Sequence, residues 1–158
     1  MTQPGEFTYR RTHRASRELL FDCLTQPEHI THFWGPTGTT APLDGITVDL
    51  RPGGAFETVM VNDSDGSRYT MRAIYIEVRR PEKLVWNEPG VEGGMTTTIT
   101  FTELENGLTE VVTHQTNVPA MNIRPEAREG FLTSLRRFDD YIAGLGAGSI
   151  PDSGFPPT

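Results

Sequence analysis

Cys23 is the only cysteine in this chain, so no intrachain disulfide can form and a small core stapled by bridges is excluded. No stretch approaches the roughly 20 consecutive apolar residues that a membrane-spanning helix needs. Basic residues are in deficit, 14 Lys and Arg against 21 Asp and Glu, for a formal charge of −7. Phosphate backbones are held by clustered cations, and the pairs Arg10-Arg11, Arg79-Arg80 and Arg136-Arg137 are scattered, which argues against a nucleic-acid surface. The opening Met1-Thr2-Gln3-Pro4-Gly5-Glu6 lacks the charged segment and apolar run of a secretory leader. With the single cysteine, this leads us to expect a cytoplasmic protein. There is no Gly-x-Ser-x-Gly elbow for a serine hydrolase. Nor is there a phosphate loop, because the glycines from Gly144 onward follow a helix and open none.

What is present fits one domain over residues 7–145, with residues 1–6 and 146–158 expected as flexible termini. A chain of 158 residues can bury about two-thirds of its unfolded surface in a single core. Phe7 to Arg14 alternates Phe7, Tyr9, Arg11 and His13 with Thr8, Arg10, Thr12 and Arg14, which predicts an edge strand whose far face is wet. Ser16 is placed to cap a helix in which Leu19, Leu20, Cys23 and Leu24 share a buried face. Pro27 and Glu28 suit the first turn of a second short helix, expected to reach Phe33 and to end at Gly35-Pro36. Two alternating runs, Ile46-Val48-Leu50 and Phe56-Thr58-Met60, flank the tight connection Arg51-Pro52-Gly53-Gly54. Asn62 to Ser67 is a turn cluster leading into a strand from Arg68 to Val78, and Asn106-Gly107 is a hairpin signal between Met95–Leu104 and Leu108–Asn117. The last helix opens near Pro125 and carries Phe131, Leu135, Phe138 and Ile142 on one stripe. From Gly144 the composition predicts a mobile tail, with docking through Ile150 and Phe155 as the alternative.

Four phrases in order are the most specific feature: Pro27-Glu28-His29, then Phe33-Trp34-Gly35-Pro36, then Leu50-Arg51-Pro52-Gly53-Gly54, then Tyr75-Ile76-Glu77-Val78 with Pro81-Glu82-Lys83-Leu84-Val85-Trp86. Together they resemble the ATPase activators of the ninety-kilodalton heat-shock protein, a branch of the START-like (SRPBCC) helix-grip superfamily, over about Phe7 to Leu145. The resemblance implies an α+β helix-grip fold, with a curved antiparallel sheet of about six or seven strands around a long C-terminal helix and two short helices after the first strand. Family members often carry Gly-Trp at the start of the last helix, where this chain has Gly130-Phe131.

That fold encloses a pocket, and strand alternation nominates its wall. Met95, Thr97, Ile99 and Phe101 share one strand face opposite a row of threonines, and Val111, Thr113 and Gln115 point inward if Glu110 meets water. The long strand places Tyr69, Met71, Ala73, Tyr75 and Glu77 on one face, with Ile74, Ile76 and Val78 on the other, and a bulge near Ala73 would reconcile its two apolar faces. The expected ligand wall is Trp34, Phe56, Met60, Met71, Tyr75, Trp86, Met95, Ile99, Phe131 and Phe138, a set of aromatics and methionines suited to an adaptable apolar ligand. The same side chains would equally serve as core packing.

Glu77, if inward, would be a carboxylate with a raised pKa and a candidate acid or base; paired with Arg79 or Arg72 it would be a rim residue. His29 and His32 sit at i, i+3, a spacing that can hold a metal, but no third ligand accompanies them and none is expected. Asp63 and Asp65 before Gly66 suggest a calcium loop, but Arg72 stands where the bidentate glutamate would be. Cys23 reads as a small core residue. No cofactor is expected. The expected partner is a small hydrophobic molecule, with a chaperone or a second copy of the chain as the protein partners left open, and with no nucleic acid and no membrane. Three functions follow: ligand binding, a chaperone-activator interaction, or a cyclase or hydrolase using a pocket carboxylate.

Overall fold

The Ser16 hydroxyl accepts a hydrogen bond from the Leu19 N–H at 3.1 Å, satisfying one of the free donors at a helix start and opening α1 (Arg17–Cys23). In this computed structural model, which describes residues 5–147, two proline-led helices follow: α2 (Pro27–Ile30) and the long α3 (Pro125–Ile142). The second short helix is a single turn and ends three residues before Phe33, because Thr31, His32 and Phe33 continue as turns. Gly144 does not stop the last helix, which widens into a π-helical turn over Ala143–Ala147. Ile150 and Phe155 lie outside the described residues.

Among the described residues eight strands form one antiparallel sheet: β1 (Phe7–His13), β2 (Thr39–Thr40), β3 (Thr47–Val48), β4 (Ala55–Asn62), β5 (Arg68–Arg79), β6 (Lys83–Glu88), β7 (Met95–Glu103) and β8 (Thr109–Thr116). The order is β1-β8-β7-β6-β5-β4-β2, with β3 also on β4, so β1 is an edge strand and pairs with the last strand of the chain. Two strands are only two residues long, and one of them, β2, carries no alternation that the sequence could reveal. Between β7 and β8, Asn106 and Gly107 both take positive φ, 62° and 75°, as a two-residue hairpin turn requires.

The bulge in β5 falls between Tyr75 and Glu77, three residues beyond the expected position near Ala73. Because strand side chains alternate with period two, one extra residue exchanges the faces. Ala73 and Tyr75 therefore point into the core at 3% and 1% exposure, while Ile74 and Ile76 face out at 41% and 55%. Beyond the bulge Val78 packs against the core, and Glu77 is turned away from it.

The concave face of the sheet closes on α3 and on the two short helices. Phe138 meets Phe33 edge-on at 4.8 Å and His13 at 5.4 Å, and Phe21 of α1 packs on Phe101 of β7 at 5.6 Å. These contacts tie α3 to the edge strand β1 and to the turn after α2, and α1 to β7.

Candidate functional site

A cavity of about 460 Å³ lies between α3 and the concave sheet face. One flank is apolar. Trp34, just past α2, stands with Met60 of β4, Met71 of β5, Trp86 of β6 and Ile99 of β7, and α3 closes over them with Phe131, Leu135 and Phe138. Trp34 is fixed from both sides. Its ring meets Phe56 at 5.4 Å and Trp86 at 6.4 Å, and Arg137 of α3 donates from one Nη1 to the carbonyls of Trp34, Gly35 and Pro36 at 3.4, 2.8 and 3.0 Å. Gly35 has φ +94°, and a Cβ there would lie 2.5 Å from Thr39 Oγ1 and 3.0 Å from Met60 Sδ, so only glycine fits behind the tryptophan.

Seven of the ten expected wall residues border the cavity: Trp34, Met60, Met71, Trp86, Ile99, Phe131 and Phe138. Phe56, Tyr75 and Met95 do not. Phe56 and Tyr75 stack on each other at 5.5 Å, fully buried behind Trp86, and Met95 is buried at the β6 edge of β7 opposite Glu88. Phe131 finds its ring partner in Tyr9 of the edge strand at 5.0 Å.

Glu77 is corrected by the bulge. It lies outside the cavity, paired with Arg79 at 2.7 Å and Lys83 at 3.4 Å, and the hydrogen bond from Arg79 holds its pKa below the ordinary value. The carboxyls that do border the cavity are Glu88, Glu126 and Asp139. His29 Nδ1 and the Tyr141 hydroxyl share a 2.6 Å hydrogen bond, and His32 stacks on the same ring at 5.3 Å, so this pair packs the end of α3. Among the described residues no group of three His, Cys, Asp or Glu side chains converges as metal ligands do. Cys23 is fully buried, with its thiol pushed up to about 12 by burial. It is an inert core side chain.

The opposite flank of the cavity is polar; Thr97, Thr113 and Gln115 were expected to point inward, but the charged groups beside them were not anticipated. Arg11 and His13 of β1, Thr97 of β7, Thr113 and Gln115 of β8, and Arg128 and Asp139 of α3 all border it. Arg11 reaches Asp139 at 3.5 Å and His13 Nε2 lies 3.7 Å from the same carboxyl. Burial pushes Asp139 up to about 7 despite Arg11, and burial together with Arg11 pulls His13 down to about 4. Burial likewise raises Glu88 to about 7. Near neutral pH the inner cluster thus holds a cation, a neutral imidazole and a carboxyl poised between its two forms. The signal was faint but present: Asp139 lies four residues beyond Leu135 on the helix stripe, and Arg11 and His13 share a strand face with Phe7 and Tyr9.

A family model described as activator of Hsp90 ATPase homolog 1-like protein matches residues 14–143. Among curated protein sequences none matches. Solved structures are similar over nearly the whole chain. A Rhodobacter sphaeroides protein superposes with a TM-score of 0.77 at 19% identity, covering 92% of this chain and 97% of its own. A Nitrosomonas europaea protein gives 0.76 at 22%, covering 93% and 99%. The AHSA1 protein of Silicibacter pomeroyi gives 0.72 at 20%, covering 89% and 99%. At these identities the likeness is one of fold.

Proposed function

The chain belongs to the family of activator of Hsp90 ATPase homolog 1-like proteins, and from that membership and the cavity between sheet and helix we propose that it binds a small, mostly apolar molecule. One observation carries the reading. The space is not filled by side chains: about 460 Å³ stays open beside Trp34, Met60, Met71 and Trp86, a volume within the range of small-molecule sites. The methionines can repack around ligands of different shape, and the two indoles offer flat apolar faces.

A chaperone-activator role, which the family description names, has narrower support in this chain. On the convex face Ile74 and Ile76 are exposed, but Ile74 is paired with the polar Asn87 of β6, and Arg72, paired with Glu57 of β4, shares their strand face. An enzyme of the cyclase or hydrolase kind that used a pocket carboxyl would draw on Asp139, Glu88 or Glu126, since Glu77 lies on the other side of the sheet.

Trp34 and Trp86 are the only tryptophans and both border the cavity, so intrinsic fluorescence reports on occupancy. A matched apolar ligand should change it at micromolar concentration, about −8 kcal/mol. Ser134→Trp, which fills the space from α3, should abolish binding with the fold retained, and Glu77→Gln should leave binding unchanged. Failure of every apolar probe and dye to enter the wild-type protein would sink this reading in favour of a protein-interaction role.

A further inference from the structure

We propose that the ligand of this cavity is a monocarboxylate with an apolar body, its carboxylate held by Arg128 together with Gln115 and Thr97. This rests on the ligand-binding reading above and adds the chemistry of the head group. Arg128 is a half-buried cation in the cavity wall whose partners are all neutral. Its Nε donates to the Asn122 carbonyl at 3.0 Å, and its Nη1 donates to the Tyr9 hydroxyl at 2.9 Å and to Gln115 Oε1 at 3.4 Å. Its guanidinium lies over the Phe7 ring at 4.3 Å and the Phe131 ring at 5.1 Å. No carboxylate among the described residues pairs with it, whereas Arg11, the other arginine bordering the cavity, has Asp139. A cation withdrawn from water and left without a counter-charge is costly, and a ligand anion would remove that cost.

A second, independent observation lies on the same flank. Thr97 borders the cavity, is only 2% exposed, and its buried hydroxyl has no hydrogen-bond partner. Buried polar atoms are seldom left so. Thr97 is the direct cross-strand neighbour of Gln115, which is itself in contact with Arg128. Because an arginine can only donate, Gln115 must turn its oxygen to Arg128 and its amide N–H groups elsewhere. Contact and strand pairing thus bring the donors of these three side chains to the same flank, while the other flank is apolar. A group that only accepts, carries one negative charge and is flat enough for a guanidinium is a carboxylate. A phosphate dianion fits poorly, since Glu126, Glu88 and Asp139 also border the cavity and, among the described residues, it has one cation without a carboxylate partner to offer.

Decanoate, 1-decanol and decyltrimethylammonium share an apolar body and differ in the charge of the head, and tryptophan fluorescence reads the binding of each. Decanoate should bind about tenfold or more tighter than decanol, as one charge-assisted hydrogen bond is expected to give, and the ammonium should bind weakest. Arg128→Met should cut decanoate affinity by about tenfold while changing decanol less than about twofold, and Thr97→Val should weaken decanoate alone. Should Arg128→Met not fold, Thr97→Val and the wild-type panel decide. Equal binding of decanoate and decanol would overturn the carboxylate assignment while leaving the apolar-ligand reading in place. Binding of none of the three would overturn both.

Discussion

Arg11 on the edge strand and Asp139 on the long helix stand 3.5 Å apart with side chains only 6% and 11% exposed, an ion pair that bolts the start of the domain to its end. Its two members are not equivalent. Asp139 can shed its charge by taking up a proton, having been pushed up to about 7, whereas a guanidinium cannot be neutralised. Breaking a buried pair costs about 3–5 kcal/mol when it strands a charge. Asp139→Asn, which removes the charge facing Arg11, should approach that range at pH 8, where Asp139 is ionised, and should cost much less at pH 5, where Asp139 is already neutral. Arg11→Met should cost clearly less, because Asp139 then protonates. Chemical denaturation of both variants measures this, and equal losses would show that Asp139 remains ionised in the native state.

The same cluster sets a pH dependence of mixed sign. His13 is lowered to about 4 from 6.5, so its contribution is fully present above 6.5 and is lost as pH falls towards 4. Asp139, raised from 3.8 to about 7, and Glu88, raised from 4.5 to about 7, act oppositely: their contributions are present at low pH and are lost as pH rises towards 7. Between about 4.5 and 6.5 the histidine therefore offsets one of the two carboxyls. His13→Gln should make stability fall more steeply with rising pH across that window than in the wild type. In an NMR titration the His13 ring should stay neutral at pH 5.5. A midpoint near 6.5 would contradict the burial of this imidazole.

Phe138 is 7% exposed and packs edge-on against both Phe33 and His13, so it joins α3 to the turn after α2 and to β1. Phe138→Ala should destabilise by about 3–5 kcal/mol, the transfer loss plus the cavity left behind. A loss below about 1 kcal/mol would mean that the neighbouring rings collapse into the space.

Much of the fold was legible because its signals are local. A cap depends on residues three apart, as with Ser16 and Leu19; a hairpin depends on two residues able to take positive φ, as with Asn106 and Gly107. The α3 stripe and the β7 alternation follow from periods of 3.6 and 2, which is why the sequence alone directs Ile99, Phe131 and Phe138 to the cavity. Trp34, Met60, Met71 and Trp86 followed from the same alternation and from the resemblance of the ordered phrases to a helix-grip family.

Two features were settled only by the assembled chain. Whether β5 sends Glu77 inward depends on where one extra residue is inserted, and the pairing with β6 puts that insertion at Ile76, where the faces change over. The polar flank likewise needs partners far apart in sequence. Arg11 and His13 can point inward on an edge strand because Asp139, some 130 residues later, comes to lie over them, and Gln115 and Thr97 join Arg128 only once β7, β8 and α3 are brought together. Backbone propensity and periodicity act over a few residues and can be read from neighbours, while the cost of a buried charge is decided by whatever the fold places beside it.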